Sequence, residues 1–129
     1  MLNIFGLKKG DRLQRKDTFF QYSTSEQFTG EYWINGKKIY CKTVSIGSLN
    51  SASKSANHGI SNFGDYLWAK GFAYSSSAKT YVSLPRGHLD NRNDSIGIEC
   101  NTTQVTLIVG QANVFSSSYV ILYYTKTTN

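Results

Sequence analysis

"SYVILYYTKTT", residues 118–128, decides how this chain folds. Tyr119, Ile121 and Tyr123 alternate with Val120, Leu122 and Tyr124, a period of two that an extended strand turns into two faces. Both faces are apolar. A strand with one wet side would carry polar residues at every second position, so this one needs cover on both sides. One side can meet the domain's own core, and the other is predicted to meet a neighbouring subunit.

Segments upstream repeat the period. "SIGIECN", residues 95–101, alternates Ile96, Ile98 and Cys100, and "TTQVTLIVG", residues 102–110, alternates Val105, Leu107 and Val109. "TYVSLPR", residues 80–86, reads as a strand ended by Pro85. In "EYWINGKKIYCKT", residues 31–43, Asn35-Gly36 marks a hairpin in which both turn residues tolerate positive φ. Beyond it Ile39, Cys41 and Thr43 share one face and Tyr40, Lys42 and Val44 the other. "ISNFGDYLWAKGFAYSS", residues 60–76, has some helical spacing at Phe63, Tyr66 and Leu67, but Gly64 and Gly71 shorten any helix and favour strands. "SLNSASKSANHG", residues 48–59, and "GHLDNRND", residues 87–94, read as polar loops.

Seven or eight short strands with no convincing helix predict an all-β chain, an antiparallel β-sandwich of jelly-roll-like form. A length of 129 residues fits one such domain. Residues 1–22 read as a short N-terminal arm and residues 23–129 as the β-sandwich. The arm carries Leu2, Ile4, Phe5 and Leu7, then Lys8, Lys9, Arg12, Arg15 and Lys16, without a period and with Gly6 and Gly10 interrupting it. Such a segment cannot bury itself and is expected to order against a partner.

The formal charge of +6 is concentrated in that arm and at Lys37, Lys38 and Lys42. No basic face interleaved with aromatic residues follows, so nucleic acid is not expected as a partner. The apolar part of "MLNIFGLKKG" precedes its charges, the reverse of a secretory signal, and no run approaches the ~20 apolar residues of a membrane span. A reducing cytoplasm is therefore expected during folding, with Cys41 and Cys100 as free thiols rather than a bridge.

Catalytic chemistry has little to stand on. Asp65, Asp90 and Asp94 are the acids that a sandwich could gather, but nothing fixes two of them at the ~5–10 Å that glycoside hydrolysis needs. His58, His88 and Cys100 lack metal-ligand spacing, and no Gly-rich phosphate loop is present. No catalytic residue, metal or cofactor is expected. Recognition fits better, because Tyr66, Trp68, Phe72, Tyr74 and Tyr81 cluster and aromatic rings suit sugars and protein partners alike. Tyr66, Trp68, Arg86, His88, Asp90 and Arg92 are the candidate ligand-binding residues. Trp33, Tyr119, Ile121 and Tyr123 are the candidates for a subunit interface. The plainer alternative for any of these rings is that it fills the core.

"YSTSEQFTGEYWINGKKIYCKTVSIG", residues 22–47, and "YVILYYTKTTN", residues 119–129, together resemble the opening and closing strands of a β-rich module at the carboxy-terminal ends of bacteriophage fibre and tail proteins. "NHGISNF", residues 57–63, and "GIECNTTQVTLIVG", residues 97–110, stand where comparable segments would. Asn35 replaces a usual Asp, and Lys38 a usual Pro. The resemblance implies a homotrimeric virion component. With only about 22 residues ahead of the module, it implies a head-fibre or capsid-decoration protein rather than the cap of a long shaft. Leu2, Ile4, Phe5, Leu7, Lys8, Lys9, Arg12, Arg15 and Lys16 would then anchor it to capsid or tail proteins, and its loops would contact a host-surface glycan. A receptor-binding tip of the tail, or a carbohydrate-binding module, is the alternative; an enzyme that degrades polysaccharide comes third.

Overall fold

The computed structural model describes residues 20–87, 95–110 and 114–128. The anchoring candidates between Leu2 and Lys16, and His88, Asp90 and Arg92, lie outside the described residues. Ten strands and no helix occur among the described residues: β1 (Gln27–Tyr32), β2 (Lys38–Ser45), β3 (Leu49–Asn50), β4 (Lys54–Asn57), β5 (Phe63–Ser75), β6 (Thr80–Leu84), β7 (Ile96–Cys100), β8 (Gln104–Val109), β9 (Val114–Phe115) and β10 (Ser117–Lys126). Every strand pairing is antiparallel. A five-stranded sheet runs in the order β1-β2-β10-β5-β6, a three-stranded sheet in the order β4-β8-β7, and β3 pairs with β9.

The closing strand sits at the centre of the large sheet. Tyr123 faces Cys41 on β2 and Trp68 on β5, and Leu122 faces Lys42 and Ala69. The strand's alternation then sorts its side chains. Val120, Leu122 and Tyr124 point inward and are fully buried, joined by Val44 and Ala73 of the same sheet. Val105 and Leu107 of β8 and Ile96 of β7 complete this core from the small sheet. At roughly 25 cal/mol per Å² of apolar surface, this shared core is the main source of stability. Gly71 sits where β5 passes closest to β10: a Cβ there would strike the carbonyl oxygen of Tyr119.

Three expectations change. The first hairpin turns through Ile34, Asn35 and Gly36 rather than through two central residues. Gly36 N–H donates to the Trp33 carbonyl and Trp33 N–H to the Lys37 carbonyl, both at 2.8 Å, and of the turn residues only Gly36 takes a positive φ, of 84°. Asn35 serves instead through its side chain, whose Oδ1 accepts from Lys37 N–H at 3.0 Å. Secondly, residues 48–59 contain β3 and β4. Their side chains carry no period, and backbone pairing with β9 and β8 makes them strands. Thirdly, residues 63–75 form one long strand whose register against β10 shifts near its start.

Candidate functional site

Those register shifts decide which side chains share a face. Pairing moves from Tyr123↔Trp68 to Tyr124↔Tyr66, so β5 holds one extra residue, Leu67. Such a bulge re-aims the neighbouring side chains. Trp68 goes to the outer face with Tyr123, and Tyr66 goes with Tyr124 toward the small sheet. Of the described ligand candidates, Tyr66 and Trp68 therefore do not converge. Tyr66 lines a crevice and Trp68 stands on the opposite face. Arg86 exchanges backbone hydrogen bonds of 2.8 Å with Ile96 where the chain crosses between sheets.

The outer face of the large sheet gathers the rest. Ile39, Cys41 and Tyr123 are buried there, with Phe20, Trp33, Leu67 and Ile121 packed against them. The Trp68 ring stacks on Tyr123 at 5.1 Å between centroids and 24° between planes, and Trp33 adds a tilted ring 6.1 Å from Trp68. Phe20 and Tyr22 fold over the same patch, and the hydroxyls of Tyr22 and Tyr123 share a hydrogen bond of 3.1 Å. Lys70 Nζ lies 5.7 Å from the centroids of both tyrosine rings, where their π-faces attract a cation. Past Lys70 the aromatic run resumes. Phe72 meets Tyr119 at 5.3 Å and Tyr81 at 5.8 Å, and Tyr81 meets Tyr74 at 4.5 Å.

Coverage is uneven along this stripe. Trp68 and Phe72 keep 39% and 37% of their surface exposed and Tyr81 keeps 67%. Of the interface candidates, Tyr123 is buried by its own chain, while Trp33, Tyr119 and Ile121 are half-buried. Phe20 and Lys70 carried no sequence signal for this face. An unpatterned phenylalanine and a lysine between Trp68 and Phe72 gain meaning only once β10 lies beside them.

Two groups of this face, Cys41 and Tyr123, are held in their protonated form. Burial pushes the Cys41 thiol up to about 11, against the opposing pull of its hydrogen bond with Tyr123 and of the Lys70 charge. Burial also raises Tyr123, and its bond to Tyr22 adds to the effect. Neither group is a nucleophile near neutral pH.

Hollows among the described residues lie elsewhere. A crevice of about 330 Å³ is lined by Tyr66, Ile98, Glu99, Cys100, Asn101 and Thr106. Among the described residues Glu99 is its one carboxylate, and burial pushes the Cys100 thiol up to about 11. The Oδ1 of Asn101 is occupied by Thr103 N–H, Thr103 Oγ1 and Gln104 N–H. The second hollow, about 210 Å³, lies beside His58. His58 Nδ1 accepts from Ile60 N–H at 3.1 Å, which places the ring hydrogen on Nε2, and that hydrogen is donated to the Asn101 carbonyl at 2.9 Å. The ring also stacks on Phe63 at 4.9 Å. Both nitrogens are used in holding the loop, so His58 is structural. Among the described residues no group of three His, Cys, Asp or Glu side chains could hold a metal ion, and both cysteines are free. Asp65 is exposed, and Asp90 and Asp94 lie outside the described residues.

One polar cluster had no sequence signal. Glu26 accepts from Tyr124 hydroxyl at 2.6 Å and from Lys126 Nζ at 2.7 Å, tying the segment ahead of β1 to the end of β10. No family model matches the chain, and comparison with curated proteins and with solved structures finds no match.

Proposed function

We propose that this chain is a structural component of a bacteriophage virion, of the head-fibre or capsid-decoration kind. It would assemble as a homotrimer of jelly-roll-like sandwiches, held to capsid or tail proteins by its basic N-terminal arm. The observation that carries this reading is the aromatic outer face of the large sheet, left partly bare by the single chain. Contiguous apolar surface of this sort marks an interaction site in a soluble protein. The described end of the arm adds support, because Phe20 and Tyr22 lie on the same face. The repeated crossing of the chain between the two sheets is in keeping with jelly-roll connectivity.

Light scattering on the full chain tests the assembly. A trimer is expected at micromolar concentration, and a monomer overturns it. Removing residues 1–19, which leaves Phe20 in place, is expected to abolish incorporation into particles while the sheet's circular dichroism persists. Decoration of particles by the truncated chain would overturn the anchoring role.

The exposed Trp68 ring on the outer face of the large sheet favours a second reading, a tail receptor-binding tip or carbohydrate-binding module that stacks on sugar rings. Binding on a glycan array that is lost with Trp68→Ala or Arg92→Ala would favour that reading. Silence across the array would favour decoration alone.

A further inference from the structure

The small sheet ends on an unfinished edge. In its order β4-β8-β7, strand β7 has a sheet neighbour on one side only. Along an antiparallel strand, successive residues send their backbone groups to opposite sides. The flanking hydrogen bonds fix the phase. Gly110 N–H donates to the Ser95 carbonyl at 2.9 Å and Asn101 N–H to the Gln104 carbonyl at 3.0 Å, so the odd-numbered residues pair toward β8. Ile96 instead exchanges its backbone bonds with Arg86, on the far side of β7. Register with β8 runs from Ile96↔Val109 to Cys100↔Val105 without a shift, so Ile98 and Cys100 turn their N–H and C=O to that far side. Among the described residues no backbone or side chain meets them there.

Arg86 thus begins a ladder that stops after one residue. The chain on which it lies turns away, because Leu84 pairs with Gly71 in the large sheet. Strand β6 covers β5 only from Gly71 onward, and no described strand lies between the earlier part of β5 and β7. The crevice of about 330 Å³ occupies this gap, with Tyr66 contributed by β5 and Ile98, Glu99 and Cys100 by β7. Among the described residues no lysine or arginine lines it, and the Glu99 side chain is exposed.

We propose that an extended peptide strand of a partner protein, carrying a cationic residue opposite Glu99, adds to the free edge of β7 through this crevice. The backbone selects the class of occupant. Donors and acceptors that recur at every second residue along a strand match another extended backbone, and the adjoining crevice takes its alternate side chains. Charge selects the residue opposite Glu99, since directly opposed side chains share a face and interact. In a chain of formal charge +6, a carboxylate without a cation beside it is where a basic strand is attracted rather than repelled. The inference is independent of the virion reading, and failure of either leaves the other standing.

Amide exchange and peptide titration on the isotope-labelled full chain test this. In the free chain the Ile98 and Cys100 amides are expected to exchange at least tenfold faster than those of Gly97 and Glu99, which pair with β8. Equal protection of all four would overturn the proposal, because this chain or another copy of it would already fill the edge. A short capped peptide of alternating threonine and lysine should then shift the Ile98 and Cys100 amide signals and slow their exchange. The same peptide with proline at every third position cannot pair as a strand, and it should bind at least tenfold more weakly, as should a threonine–glutamate peptide. Glu99→Lys changes an exposed side chain and should reverse the order of the lysine and glutamate peptides with unchanged circular dichroism. No shift at Ile98 and Cys100 with the lysine peptide at millimolar concentration would overturn the proposal. Equal binding of the proline form would do so too, since charge alone would then hold the peptide. An unreversed order in Glu99→Lys would overturn the cation opposite Glu99.

Discussion

The two faces of β10 are made from alternate residues of one strand, yet they are closed in different ways. Inward, Val120, Leu122 and Tyr124 are sealed by β7 and β8, a second backbone layer that leaves them no exposed surface. Outward, Tyr123 is covered by the rings of Trp68 and Tyr22, while Tyr119 and Ile121 stay half-buried. A sheet excludes water over its whole area. Rings exclude it only where they lie, and their edges stay available to another molecule. The inner face is therefore the seat of stability, and the outer face is the one that keeps aromatic surface exposed.

The largest effect should come from Gly71, which serves both faces because it permits β5 to approach β10. In Gly71→Ala the new methyl group meets the Tyr119 carbonyl oxygen, which is backbone and cannot swing aside. Forcing it in should cost about 3 kcal/mol or more, at the upper end of overpacking effects. Urea unfolding would measure this. A loss below about 1 kcal/mol would mean that the two strands can part without disturbing either face.

Leu122→Ala and Trp68→Ala then compare the faces directly. Leu122 is fully buried between the sheets, so its truncation should cost about 3 kcal/mol, the middle of the range for leucine in a closed core. Trp68 keeps 39% of its surface exposed and should cost about 1–2 kcal/mol, chiefly through its stacking on Tyr123. Equal losses would mean that the outer face is a second core, and the division drawn above would fail.

Alkaline titration reads the burial of the Cys41 thiol on the outer face. The folded chain holds the Cys41 thiol up at about 11, above its ordinary 9.0, so folding favours the protonated form. That contribution is complete below pH 9 and is lost as pH rises from 9 through 11. Tyr123, raised chiefly by burial, adds a loss of the same sign above its ordinary 10.0. Unfolding free energy should be flat from about pH 7 to 9 and fall beyond it. Cys41→Ala should make the fall between 9 and 11 less steep, leaving the part that Cys100, also raised to about 11, and the raised tyrosines contribute. An unchanged slope in that variant would place the alkaline loss elsewhere, in the Cys100 crevice or at Tyr124.

The difference between the faces was largely legible in the chain, for a definite reason. The period of two in residues 119–124 survives into the structure because β10 pairs with β2 without a register shift over that stretch. The same period in Ile96, Ile98, Val105 and Leu107 marked two strands whose inward side chains join the core. The grouping of Tyr66 with Trp68 was not legible. The extra residue at Leu67 sends them to opposite faces, and a bulge is set by how two strands meet rather than by either alone. The strands β3 and β4 were hidden for a related reason, since their backbones pair while their side chains stay mostly polar. His58 sat in that polar stretch as a conceivable ligand, and only the backbone groups of Ile60 and Asn101 show that it is already engaged.

The smallest expected effect probes how the outer face is finished. Tyr22→Phe keeps the ring that covers Tyr123 and removes the hydroxyl that bonds it. Because the site is half open to water, the freed Tyr123 hydroxyl can be rehydrated, and the loss should be about 0.5–1 kcal/mol. Tyr22→Ala takes away the ring as well, together with one of the two aromatic partners of Lys70, and should cost more by about another 1 kcal/mol. If the two variants lose the same amount, the ring contributes nothing and the hydroxyl pair alone ties the incoming chain down. If Tyr22→Phe loses nothing while Tyr22→Ala does, coverage is what residues 20–22 supply. The Tyr123 half of the face is then held by the same kind of ring-on-ring contact that its Tyr119 half leaves open.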